Sequence, residues 1–371
     1  MSNVDGNRRA ERLTAWLSSM LPDATDLEVT GTERLEFGHS AEMLLLTISY
    51  GGATGPEERK VVVRLQPPSP GLLEPYDLAR QFQILRALES TAVKAPRGLW
   101  LEATGDILGR PFYVMERLPG EVYERTVPAE FDDDPIRIRT MCEGIIDQLA
   151  AIHSVDLRST GLDALGDGPS FIDRELKRWD GELTRVRRGP LPALERLSHE
   201  LHSRRPPSSP VHTLVHGDMK PGNFAFVHDV VSAVFDWELA DIGDPMADIG
   251  YLEVMWAYPV GLTSRPSAPT FEEALFRYEQ KTGFEVRNRS WFSALEAYKT
   301  AVILLVGSML FESGDTDDFR YLEMALGVAM TTDVGLRALD IFEEIPSGPV
   351  MPSDARIAEA QQRQATRPAE H

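Results

Sequence analysis

Apolar residues recur every three or four positions at Leu13, Trp16, Leu17, Met20 and Leu21, which predicts an amphipathic helix near the start of the chain. The period then shortens to two, or to brief apolar runs, in segments 27–37, 42–50, 60–66, 98–103 and 111–117, read here as five strands. One helix interrupts them at 73–88, with Leu78, Phe82, Leu85 and Leu88 along a single face. Five strands and one inserted helix make a small antiparallel lobe.

After the LPGE connector at 118–121 the pattern turns helical. Met141, Ile145, Leu149 and Ile152 form a stripe on a helix that ends near His153. Further helices are expected at 171–188, 191–202, 247–256, 271–282, 291–312 and 317–342, with a Pro/Ser-rich loop at 204–210. A single short strand pair, 224–227 with 232–237, interrupts this half. The expected architecture is α+β: an antiparallel β lobe with a leading helix at 1–117 and a mainly helical lobe at 118–345. The polar stretch 346–371 is read as a mobile tail or loosely attached helix.

Composition narrows the function classes. A formal net charge of −20 argues against a nucleic-acid partner, because phosphate-backbone binding relies on clustered Lys and Arg. Cys142 is the only cysteine, so an internal disulfide and a Cys-rich zinc site are both excluded. The opening MSNVDGNRRAERLTAW lacks the apolar core of a signal peptide. The longest apolar stretch, 301–311, is short of the ~20 residues a membrane span needs. A cytoplasmic chain without membrane contact is therefore expected. GxxxxGK[ST], GxSxG and HExxH are all absent, and His199, Glu200 and His202 read as a solvated helix face rather than a metal site.

The candidate chemistry lies in 214–251, LVHGDMKPGNFAFVHDVVSAVFDWELADIGDPMADIGY. Asp218 follows His216 and Gly217, Asn223 comes five residues later, and Asp236 ends the strand that returns from the hairpin. Phosphoryl transfer needs a carboxylate beside the incoming hydroxyl and oxygen ligands that hold Mg2+ against the nucleotide phosphates. Asp218 is the candidate catalytic base, with Asn223 and Asp236 as metal ligands. Any one of them alone would be an ordinary turn or cap residue. Their order and spacing match the kinase pattern of catalytic-loop Asp, Asn and metal-binding Asp.

HGDMKPGN followed by DWE and GDPMAD resembles the aminoglycoside phosphotransferase and choline kinase superfamily, and within it the branch that includes the kinase-like domains of acyl-CoA dehydrogenase family proteins. The resemblance spans roughly residues 30 to 340. It implies a two-lobed protein-kinase-like fold with ATP or GTP in the cleft. It also implies that His216 braces the catalytic loop, that Asp244 and Asp248 fix the loop after the metal site, and that Glu238 is either a support or a surface carboxylate. His153 is a structural helix end. Of Tyr251, Trp256, Trp291 and Tyr298, some line an acceptor pocket or all pack the core.

In the first lobe the resemblance places Gly38, His39 and Ser40 in a loop over the phosphates. Arg64 stands where kinases carry a phosphate-binding lysine, and Gln81 where the family has that lysine's glutamate partner. Met115 would line the base pocket, and the backbone of Glu116 and Leu118 would meet the base. The Arg and Gln depart from the kinase pattern, because Gln81 cannot form an ion pair. Two functions stay open: transfer of a nucleotide γ-phosphate to a small hydroxylated molecule, or a nucleotide-binding scaffold with a degenerate kinase fold. Aminoglycosides, choline-like amines, sugars and hydroxyacyl compounds all fit as acceptors, with a lean toward hydroxylated acyl or lipid-like metabolites.

Overall fold

The structure, a computed structural model, describes residues 3–35 and 42–366. Helix α1 (Asn3–Met20) precedes a five-stranded antiparallel sheet. Its strands are β1 (Thr25–Leu35), β2 (Glu42–Gly52), β3 (Gly55–Leu65), β4 (Gly98–Glu102) and β5 (Phe112–Glu116), arranged β1-β2-β3-β5-β4. Helix α2 (Leu78–Leu88) lies between β3 and β4 in sequence. It starts five residues later than the apolar pattern suggests, because the Asp77 side chain caps it by accepting from Arg80 N.

Strand alternation sorts the residues of this lobe. Val61, Val63 and Leu65 of β3 join Phe112 and Val114 of β5 in a core closed by Leu13 and Leu17 of α1. Val62, Tyr113 and Met115 point the other way, into the core that continues through the helical lobe. Arg64 shares the parity of Val62 and stands opposite Tyr113 in the ladder. The period of two therefore puts Arg64, Tyr113 and Met115 on the face that meets the second lobe.

That lobe contains β6 (Glu121–Val122), α3 (Pro135–His153), α4 (Leu157–Thr160), α5 (Phe171–Val186), α6 (Pro192–Ser203), β7 (Thr213–Val215), β8 (Phe224–Val227), β9 (Val230–Val234), β10 (Asp241–Gly243), α7 (Met246–Trp256), α8 (Phe271–Thr282), α9 (Arg289–Ser313), α10 (Phe319–Ala338) and α11 (Asp354–Thr366). Helix α9 is long and apolar enough to cross a membrane by length and composition, yet 83% of its most apolar window is buried inside the molecule. Its apolar residues form the centre of the helical lobe. Gly250 lets α7 cross it closely, since a Cβ there would meet the Phe292 backbone.

Two expectations need correction. The helical lobe carries more than one strand pair: β7 pairs with β10, and β6 adds to the β8–β9 hairpin. Strands of two or three residues are too short to display a period. The returning strand also ends at Val234, and Asp236 adopts a left-handed conformation, φ 68° and ψ 63°, in the turn after it. Within the stretch read as a mobile tail or loosely attached helix, α11 is held by Arg356. That buried side chain donates to the Phe311 carbonyl at 2.7 Å and pairs with Asp317 at 2.6 Å.

Candidate active site

Strand β7 delivers the chain to His216-Gly217-Asp218, and three contacts fix the turn. The His216 ring accepts from Asp218 N at Nδ1 (3.2 Å), so its Nε2–H donates to the Phe235 carbonyl at 2.8 Å. Gly217 sits at φ +80°, and a Cβ there would collide with the Leu239 carbonyl oxygen. Asp248, completely buried on the first turn of α7, accepts from His216 N at 2.7 Å, Gly217 N at 2.8 Å and His153 Nε2 at 3.0 Å. Burial pushes its carboxyl up, but the His153 bond, the nearby His216 and the backbone donors outweigh that and hold it below the usual range. Asp248 thus braces the loop that bears Asp218, whereas Asp244 pairs with Arg287 at 3.0 Å.

Asp218 is held on several sides. Asn223 Nδ2 donates to its Oδ2 and to its backbone carbonyl, both at 2.8 Å. The Tyr251 hydroxyl lies beside the carboxylate, and Lys220 Nζ lies 3.7 Å from Oδ2. Burial raises the carboxyl pKa, but Lys220, Tyr251 and Asn223 together bring it below the ordinary value. The hairpin then closes the circuit: Phe235 N donates to the Asn223 carbonyl at 2.8 Å, which places Asp236 one residue from that bond. Lys220 is held charged by Asp218 first, then by Asp236, Glu124 and Glu238. Lys220 Nζ lies 3.6 Å from Glu124 and 3.7 Å from Asp218, so its ammonium stands between those two carboxylates.

A family model described as the phosphotransferase enzyme family matches residues 52–288. This chain belongs to that family. It is 31% identical over 260 residues to acyl-CoA dehydrogenase family member 10 of Mus musculus, a match covering 67% of this chain and 24% of that protein. It is 30% identical over 256 residues to acyl-CoA dehydrogenase family member 11 of Rattus norvegicus, covering 65% and 32%. The chain thus spans about a quarter to a third of the length of these relatives. Among solved structures, a candidate aminoglycoside phosphotransferase from Ralstonia eutropha superposes with a TM-score of 0.70 at 22% identity, covering 90% of this chain and 99% of that one. Aminoglycoside phosphotransferase APH(4)-Ia, solved with ADP and hygromycin B, gives 0.55 at 15% identity, covering 88% and 98%. A macrolide 2'-phosphotransferase type I gives 0.55 at 18%, covering 93% and 99%. The kinase-like two-lobed fold is shared with all three.

In the β lobe of this phosphotransferase, Arg64 Nη2 reaches Asp236 Oδ1 at 3.2 Å and Glu238 Oε2 at 2.6 Å. Among the described residues no hydrogen bond joins Arg64 to Gln81. The buried Gln81 instead accepts from Tyr113 Oη at 3.4 Å, so its expected role as partner of the strand arginine is corrected. Met115 is buried on the cleft-facing side of β5. The Glu116 N–H is taken by the Arg97 carbonyl at 2.9 Å, which removes it from the groups that could meet a base. Leu118 is half-buried in the connector. Gly38, His39 and Ser40 lie outside the described residues.

Three further residues belong to the site. Lys220 stood inside the motif, two positions after Asp218, and its charge was the available signal. Tyr251 was left between acceptor pocket and core, and it lies beside Asp218. Lys299, buried on α9, donates to the Gly217 carbonyl at 2.7 Å and pairs with buried Glu296. A Lys and a Glu three apart in an otherwise apolar helix are unusual enough to have been noticed. His199 and His202 are exposed, His202 pairing with Asp180, whereas Glu200 is buried between Arg196 and Arg204, which corrects its reading as part of a solvated face.

Proposed function

We propose that this phosphotransferase moves the γ-phosphate of ATP or GTP to a hydroxyl of a small molecule, with Mg2+ as the assisting cation. The reading rests on one observation above all: Asp218, kept ionised, is tied to Asn223 at 2.8 Å, and the bond from Phe235 N to the Asn223 carbonyl sets Asp236 one residue away. The fit to Mg2+ comes from the donors. Asp236 offers a carboxylate, and Asn223, its nitrogen committed to Asp218, offers an amide oxygen. Two hard protein oxygens suit an ion that keeps its remaining positions for water and phosphate. When bound, the cation would offset charge on the phosphate oxygens.

A carboxylate held below its usual pKa is a weak base. Asp218 therefore acts mainly by orienting the acceptor hydroxyl, taking its proton late, as a loose phosphoryl transition state requires. Lys220 offsets charge at the same spot, and Arg64 would meet the nucleotide phosphates in a forked manner. The relatives' names favour hydroxylated acyl compounds as acceptors, and those of the structural neighbours favour hydroxylated antibiotics. A second reading, nucleotide binding without transfer, draws support from the Arg64–Asp236 contact, which occupies a ligand oxygen.

The test is ADP release across a panel of hydroxylated acyl compounds, sugars, choline-like amines and aminoglycosides. An acceptor that stimulates release is expected, and Asp218→Asn should lower that turnover by about a thousandfold or more, given the weight of an orienting base and lost charge. Turnover unchanged in Asp218→Asn would remove the assigned role. ATP binding with no stimulation by any acceptor would favour the second reading.

A further inference from the structure

Two arginines of the β lobe end on one short segment of the helical lobe. Arg64, from β3, reaches Glu238 at 2.6 Å and Asp236 at 3.2 Å. Arg80, from α2, reaches Asp241 at 2.6 Å and also donates to the Ala240 carbonyl at 3.4 Å. Residues 236–241 thus receive both arms. The Arg64 and Glu238 side chains are only 5% and 8% exposed. A guanidinium buried to that degree needs an anion close by. The residue of α2 placed to supply one is Gln81, which is neutral and turned to Tyr113.

We infer that Glu238 is the positioning residue for Arg64, so that the phosphate-binding arginine is aimed from across the cleft by the segment that follows Asp236, and not by helix α2. The inference rests on the phosphotransfer reading above for what Arg64 binds. Glu238 is nearer to Arg64 than Asp236 is, so Arg64 keeps a charged partner when Asp236 serves a cation. The consequence is coupling. The short stretch that presents the cation ligand also sets the guanidinium, and α2 is fastened separately through Arg80. A swing of α2 alone would then leave Arg64 aimed, which a lock built on α2 does not allow.

Arg64→Met, Glu238→Gln and the double variant of the full chain form a cycle, read by calorimetric titration with ADP in the absence of Mg2+ and repeated with Mg2+ and AMP-PNP. Loss of one charged hydrogen bond to Arg64 should weaken ADP binding about tenfold in Glu238→Gln, with or without Mg2+. In the Arg64→Met background the same substitution should change affinity less than about twofold. Adding Gln81→Glu to Glu238→Gln, which returns an acid to α2 beside Tyr113, should recover affinity only while Arg64 is present.

The inference is overturned if Glu238→Gln costs the same factor with and without Arg64, or if its cost vanishes when Mg2+ is omitted, as for a direct cation ligand. Recovery by Gln81→Glu in the Arg64→Met protein would overturn it as well. Should the wild-type chain bind no nucleotide, the phosphotransfer reading fails first. The same four proteins compared by thermal unfolding then decide the ion pair: non-additive Tm losses keep it, additive losses remove it.

Discussion

The carboxylate of Asp248 takes two consecutive backbone N–H groups and an imidazole, in a place that water does not reach. An amide there can accept but must also turn an NH2 toward groups that are themselves donors. Asp248→Asn is therefore expected to lower stability by about 3 kcal/mol, as read by urea unfolding, and to reduce turnover by loosening the Asp218 loop. Asp218 and Asp248 both have lowered folded pKa values. The unfolded chain consequently binds more protons than the folded one as acid is added. Their contribution is fully present above the unfolded carboxylate value, about 4, and is lost as pH falls through the lower folded values. The contribution of these two carboxylates to Tm should be constant above about pH 5 and fall below it, so the acid limb of the Tm profile should be shallower in Asp248→Asn. At Gly217, φ +80° and the Leu239 carbonyl both oppose a side chain. Gly217→Ala should cost about 2 kcal/mol or more and lower kcat more than nucleotide affinity.

Helix α9 shows how an apolar element can carry one polar duty. Lys299 and Glu296 sit one turn apart in its buried part, and only Lys299 reaches out, to the Gly217 carbonyl. Removing Lys299 alone strands the buried Glu296 carboxyl, whereas removing both leaves only the Gly217 carbonyl without its donor. Lys299→Met should destabilise by about 3–5 kcal/mol, and Lys299→Met with Glu296→Leu should cost less than that single change, which urea unfolding would measure. Helix α1 closes the outer face of the sheet through Leu13 and Leu17, beyond the stretch that defines the family. Leu17→Ala, at a fully buried position, should cost about 3 kcal/mol. What could be read in advance follows from range. The five strands and their alternation were legible because period two is local, and the trio was legible because Asp218, Asn223 and Asp236 fall within nineteen consecutive positions of one loop and hairpin. The three-residue strands β7 and β10 carry too few side chains to display a period. Strand β3 begins at Gly55, not at 60: its first half, which pairs with residues 48–52 of β2, is polar and shows no apolar period. The Arg64–Glu238 pair joins residues 174 positions apart, and no local pattern announces such a partner.

At the scale of the whole molecule, the two lobes meet through charged arms as well as through apolar core, and the C-terminal helix α11 is fastened chiefly by the buried Arg356, with Arg363 and Gln364 adding contacts to Asp317. Arg356 donates to carbonyls of Phe311 and Thr316, pairs with Asp317, and lays its guanidinium 4.8 Å from the Phe311 ring centroid. Arg356→Ala should release α11, making 354–366 the first segment cut in limited proteolysis while the rest of the fold holds. The chain matches about a quarter to a third of the length of these longer relatives. The proposed reaction requires that oxygens from the loop and from the hairpin act together on one cation and one nucleotide. The most direct measurement is calorimetric titration of AMP-PNP with and without Mg2+ into the wild type, Asn223→Ala, Asp236→Ala and Asp218→Asn. Mg2+ should strengthen binding in the wild type and in Asp218→Asn, and that gain should disappear in Asp236→Ala and shrink in Asn223→Ala. A Mg2+ gain that survives intact in Asp236→Ala, or one that the wild type lacks, would contradict the account.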